Sequence, residues 1–279
     1  MACPRPYSLA FLTAPALTPP EAIRLAADTG YQFVGLRLVP NQPGAPQQHL
    51  IGRPEVLRAT RQAVAETGVG VFDLEILRIG PGFRLDDCLP LLEVGAELGA
   101  RAVLVAGDDP ERERLAAHYA QLCAAAHTYG LSADLEFMPW TAVRDARDAL
   151  DVVRRAGTPA GCGLLMDALH AARSTTRLED LRALPPELLH YAQISDAPVR
   201  GPGEPPFSTD EMIHAARNER LLPGEGGIDL AGLFGCLPDT LPVSVEIPNL
   251  ARIPQEGQTR WARLALERSQ AALQPMAVA

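Results

Sequence analysis

The chain has 279 residues, 47% of them hydrophobic and 21% charged, with a formal net charge of −9. That is ample material for a buried core, and the negative balance argues against a nucleic-acid partner, which needs a positive footprint. Five scattered cysteines with no CxxC suggest neither a disulfide framework nor a zinc–thiolate site, and no apolar run is long enough to span a membrane.

Short apolar runs alternate with helix-like segments from one end of the chain to the other. Residues 7–13 read as the first strand, and Pro19-Pro20-Glu21 opens a helix to Ala27, with proline in the first turn where it is tolerated. The second strand, 33–39, stops at Pro40; a polar loop, Asn41 to Gln48, precedes a helix at 53–67. The third strand is expected at 69–77 and its helix at 85–98, the fourth strand at 102–106 and its helix at 111–129. The fifth strand, 131–137, is followed by a helix at 141–156. Leu164-Leu165-Met166 then forms the sixth strand, ending at Asp167, with His170 in the loop beyond it and a short helix at 178–184. Strand seven is 191–195, strand eight 243–247, and a helix at 257–273 closes the chain.

Eight strand-then-helix units within one domain's length predict a closed α/β barrel, the (β/α)8 TIM barrel, as a single domain over 1–279. An open doubly wound sheet is the rival. It usually has fewer strands, and no GxGxxG or GxxxxGK[ST] occurs here. The longest interruption, 196–242, lies between strands seven and eight. Pro198 to Pro206 cannot be regular helix, 209–219 can, and Leu222-Pro-Gly-Glu-Gly-Gly-Ile-Asp229 follows. Long loops at the C-terminal face of a barrel are where binding concentrates.

Polar residues recur at the matching strand ends: Glu136 on the fifth, Asp167 on the sixth, Gln193 near the end of the seventh and Glu246 near the end of the eighth. Each alone is explained by a helix cap or an arginine partner. Together, three carboxylates at one mouth repel one another unless a cation lies between them. A shell of carboxylates and one amide carbonyl favours a hard ion, Mg²⁺ or Mn²⁺. Arg37 and Glu75, at the ends of strands two and three, are further rim candidates that can also pair with each other.

These residues carry a resemblance. Leu135-Glu136, Met166-Asp167-Ala-Leu-His170, Gln193-Ile-Ser-Asp196, Pro223-Gly-Glu-Gly-Gly-Ile-Asp229 and Val245-Glu246 resemble the xylose isomerase-like TIM-barrel superfamily over nearly the whole chain. That group includes ketose 3-epimerases, inosose dehydratases, 3-dehydroshikimate dehydratases and endonuclease IV. The resemblance implies one divalent metal held by Glu136, Asp167, Gln193 and Glu246. It further implies His170 as a substrate contact or proton carrier and Glu225 near the mouth. Most isomerase members have His where this chain has Gln193, whereas some dehydroshikimate dehydratases have Gln.

The expected activity is therefore a metal-dependent isomerase or epimerase acting on a keto sugar or related polyhydroxylated keto compound through an enediolate. Glu136 and Glu246 would exchange the proton. The alternative is a dehydratase of the 3-dehydroshikimate or inosose type, with His170 carrying the proton of the leaving hydroxyl. An endonuclease IV-like nuclease is disfavoured by the scattered histidines and acidic balance, and a non-catalytic binding barrel by the retained His170. A small-molecule substrate, no nucleic acid, no membrane and a cytoplasmic setting are expected, and related barrels are often dimers or tetramers, so a homo-oligomer is admitted.

Overall fold

In the computed structural model, which describes residues 5–40, 44–201 and 203–274, the eight strands close into a parallel barrel in sequence order. They are β1 (Tyr7–Leu9), β2 (Phe33–Arg37), β3 (Gly70–Ile79), β4 (Ala102–Gly107), β5 (Ser132–Glu136), β6 (Cys162–Asp167), β7 (Leu189–Ile194) and β8 (Val243–Val245). β1 pairs with β8 through Ser8 opposite Ser244, which removes both sheet edges. The chain is the TIM barrel that the strand–helix alternation predicts.

The helices are α1 (Pro19–Thr29), α2 (Pro54–Thr67), α3 (Leu89–Leu98), α4 (Arg112–Thr128), α5 (Ala146–Arg155), α6 (Ala168–Arg173), α7 (Leu178–Arg182), α8 (Thr209–Asn218), α9 (Leu230–Phe234), α10 (Ile253–Glu256) and α11 (Gln258–Ala272). Their apolar faces pack on the outer side of the sheet in one continuous core that includes Leu91, Tyr119, Val152 and Trp261. A smaller cluster fills the barrel axis with Phe72, Leu104, Leu165 and Tyr191. Strands buried on both faces read as unbroken apolar runs, and all six residues of β4 are buried.

Several boundaries differ from the sequence expectation. β1 ends at Leu9, and Phe11–Thr13 turns into a 3-10 helix whose Thr13 hydroxyl donates to the Val245 carbonyl at 2.7 Å. Helix α5 begins at Ala146, because Asp145 caps it by accepting from the Arg147 and Asp148 N–H groups. His170 sits on α6 and not in a loop. The expected polar loop is described only from Gly44 onward, since 41–43 lie outside the described residues. Helices α9 and α10 were not anticipated; they are short, and a single turn carries little periodicity.

Cys88, Cys123, Cys162 and Cys236 are free thiols, and Cys3 lies outside the described residues. Among the described residues no helix is long and apolar enough to cross a membrane.

Candidate active site

Glu136 and Asp167 are the last residues of β5 and β6, Gln193 is in register with Asp167 on β7, and Glu246 directly follows β8. All four are buried. Asp167 does two jobs. Its Oδ1 caps α6 by accepting from the His170 N–H at 3.0 Å, while its Oδ2 faces across the barrel. The cap turns His170 inward. Its Nε2 lies 3.5 Å from Glu136 Oε1 and its Nδ1 3.9 Å from Asp167 Oδ1, and Trp140 meets the ring edge-on with centroids 4.9 Å apart.

Arg220, which the sequence reading did not single out, occupies the middle of this group. Its Nη1 donates to Asp167 Oδ2 at 2.5 Å and to the Ser195 hydroxyl at 3.2 Å. Its Nη2 is 2.7 Å from Glu246 Oε2, and its Nε donates to the Ala216 carbonyl at 2.9 Å. An arginine thus supplies part of the positive charge that the crowded carboxylates require. The glycine-rich signature explains how it gets there. The Gly224, Gly226 and Ile228 N–H groups all donate to the buried Asp196 carboxylate, and Asp196 and Leu221 exchange backbone hydrogen bonds at 2.9 and 2.8 Å. A Cβ on Gly226 would lie 2.3 Å from Asp196 Oδ1, so that position has room only for glycine.

Electrostatics remain unbalanced. Arg220 pairs with Asp167 and Glu246, and one guanidinium does not neutralise three ionised carboxylates, so Glu136 and Glu246 resist ionisation. Burial, together with the Asp167 and Glu246 charges, raises the Glu136 pKa well above the usual carboxylate range. Burial also lifts Glu246 to about 7 despite Arg220. Asp167 goes the other way: burial acts against its charge, but Arg220 and His170 outweigh it and the pKa falls. Burial lowers His170 to about 4, so its imidazole is neutral at pH 7.

The donors fit a divalent metal. Ligand atoms of Glu136, Asp167 and His170 lie within 4.8 Å of one another. Both side-chain polar atoms of Gln193 are buried without a hydrogen-bond partner among the described residues, an arrangement costly unless something binds there. A dication would let all three carboxyls ionise together and give the amide oxygen a partner.

The other expected residues are placed differently. Arg37 lines the mouth but is paired with Glu75, through Nε at 3.0 Å and Nη2 at 2.6 Å, and stacks over Phe11. Glu75 keeps one buried oxygen free. Glu225 is not brought to the mouth; it pairs with Arg252 at 2.5 Å and is partly exposed. Its neighbours' backbone N–H groups grip Asp196, which turns the Glu225 side chain outward.

A curated relative, the 3-dehydroshikimate dehydratase of Pseudomonas aeruginosa, is 28% identical over 230 residues, 78% of this chain and 33% of its own length. The chain therefore spans about a third of that relative. Two solved structures share the fold. The IOLI protein with a bound zinc atom superposes with a TM-score of 0.74 at 18% identity, covering 96% of this chain and 98% of that one. L-ribulose 3-epimerase superposes with a TM-score of 0.67 at 16% identity, covering 96% and 94%. The family model described as the xylose isomerase-like TIM barrel matches residues 23–269, and the chain belongs to that family.

Proposed function

We propose that this barrel is a divalent-metal-dependent enzyme that enolises a polyhydroxylated keto compound and, from the enolate, expels a β-hydroxyl as water. Glu136, Asp167, Gln193 and Glu246 would hold the ion, and it would supply electrophilic polarisation of the substrate carbonyl. An all-oxygen shell of this kind favours Mg²⁺ or Mn²⁺. The observation that carries the reading is the Gln193 amide, buried without a partner among the described residues and in register with Asp167 on the neighbouring strand.

His170 suits the proton chemistry. Neutral at pH 7, it can accept the proton from the carbon beside the carbonyl and then return it to the departing hydroxyl, so one imidazole serves as base and acid in turn. Glu246, lifted to about 7, is the second group able to exchange a proton near neutrality. Arg220 lines the mouth, and with its carboxylates shared with an ion it would be able to donate to a substrate oxygen. Gln193 and the relative's dehydratase activity both favour dehydration.

Isomerisation or epimerisation is the second reading. Two carboxyls with raised pKa values, Glu136 and Glu246, share the mouth, which is what removal and return of a proton by two groups requires. One experiment separates the two outcomes. Metal-stripped protein, reloaded with Mn²⁺ or Mg²⁺, is incubated in D₂O with 3-dehydroshikimate, inosose and ketohexoses. Product lighter by one water identifies the dehydratase; deuterium gained at unchanged formula identifies the isomerase. Turnover that survives removal of divalent ions would refute both.

A further inference from the structure

At the opposite end of the barrel from the mouth lies an open cavity of about 900 Å³. It is built from the starts of β4, β5, β6 and β7 and the segment leading into β8. Its walls are largely apolar, with Phe72, Leu131, Leu188 and Leu241 among them. Its ionisable lining is Arg101, His127, His190 and the Cys162 thiol, with Glu187 the single carboxyl side chain among the described lining residues.

Two of these groups are held in place. The His190 Nδ1 lies 2.6 Å from Asp134 Oδ1, and the Ser132 hydroxyl donates to Asp134 Oδ2 at 2.6 Å. Asp134 is fully buried, so its carboxylate fixes the imidazole from behind. That hydrogen bond raises the His190 pKa against the effect of burial, favouring the protonated ring. Gly163 makes room for the pair, since a Cβ there would come within 1.8 Å of Asp134 Oδ1 and 2.5 Å of His190 Nδ1. The Arg101 guanidinium stacks 4.3 Å from the Phe33 ring centroid and 5.7 Å from that of Phe72, and no carboxylate of the described residues lies within ion-pair distance of it.

We propose that this N-terminal-face cavity is a second ligand site, taking a small planar organic carboxylate with its charged group at Arg101 and His190 and its ring against the apolar wall. The inference is independent of the chemistry assigned to the mouth. Stacking leaves the edge of a guanidinium free for bidentate contact with a carboxylate, and the adjacent aromatic and aliphatic wall suits a flat apolar body.

Benzoate is the probe and benzamide its uncharged counterpart. Titration of the full chain followed by amide chemical shifts should show saturable benzoate binding, with shifts at Leu131, Ser132 and His190. Benzamide should bind about tenfold more weakly or worse, and Arg101→Gln should weaken benzoate by a similar factor without changing metal content. Shift mapping on the unmodified chain needs no variant, so a poorly folded Arg101→Gln protein would not block the result. Absence of saturable binding, shifts confined to mouth residues such as His170 and Trp140, or equal affinity for benzamide would each overturn the proposal.

Discussion

Arg220 Nη1 lies 2.5 Å from Asp167 Oδ2, inside a cluster where every member is buried. Removing one side of a buried pair leaves the other charge uncompensated, a cost of about 3–5 kcal/mol. Arg220→Met, which keeps the volume but not the charge, should therefore lower the melting temperature of metal-free protein on the order of ten degrees. Added Mn²⁺ should restore more stability to the variant than it adds to the parent, because the ion replaces the missing charge. Thermal melts with and without metal check both halves. An unchanged melting temperature would mean that the guanidinium is not the counter-charge of this site.

The same cluster dictates how metal binding responds to pH. Burial raises Glu136, and it raises Glu246 from 4.5 to about 7, so in metal-free protein these carboxyls hold protons that a metal must displace. Affinity should rise as pH climbs from 5.5 through 7, with proton release on binding. The stability of metal-free protein has the opposite slope. A carboxyl whose folded pKa is raised binds its proton more tightly in the native state, so native stability falls as pH rises between 4.5 and about 7. Calorimetry in two buffers of different ionisation enthalpy reads the proton release, and denaturant titration at pH 5 and 7.5 reads the slope. A pH-independent metal affinity would contradict the raised values.

Gln193 and His170 separate ligation from proton transfer. Gln193→Leu removes the only neutral oxygen of the proposed shell and should reduce bound metal about tenfold or more, with turnover falling in parallel. His170→Ala leaves the carboxylates and the amide in place. Turnover should drop by about 10²–10⁴ while metal content stays close to that of the parent. Metal analysis beside steady-state rates tests both. Loss of metal in His170→Ala would make the imidazole a ligand, which the 4.8 Å grouping with Glu136 and Asp167 allows.

How much of this was legible before the fold was in view follows from which interactions are local. The run Ala102-Val-Leu-Val-Ala106 reads as a doubly buried strand, and the repeated strand–helix unit leads from such runs to a barrel and to carboxylates at the strand ends. Arg220 escaped notice because its partner Asp167 is 53 positions away and nothing in Asn218-Glu-Arg-Leu-Leu222 marks it as buried. Its position is set by the Asp196 clamp, a tertiary feature whose donors are backbone N–H groups. The glycine-rich signature is visible as a motif, and the resemblance it carries implies Glu225 near the mouth. Its two flanking N–H groups bind Asp196 instead, and the side chain meets Arg252. Arg37 and Glu75 were readable as a pair because in-register ends of adjacent parallel strands bring opposite charges together.

The barrel floor offers a last prediction. Gly163 has no room for a methyl group, since a Cβ would stand 1.8 Å from Asp134 Oδ1. Gly163→Ala should destabilise the protein by about 1–3 kcal/mol through overpacking and should push His190 off its carboxylate. The pH profile distinguishes that from a general loss of packing. His190 has a folded pKa above its ordinary 6.5, so its pairing contributes stability that is fully present below pH 6.5 and disappears as pH rises through the folded value. The parent should therefore exceed His190→Gln in stability by more at pH 5.5 than at pH 9. In the Gly163→Ala background that difference should vanish, because the pair is already broken. Urea titrations of the four proteins at the two pH values measure it, and an equal gap at both pH values would show that folding leaves the His190 pKa where it is in the unfolded chain.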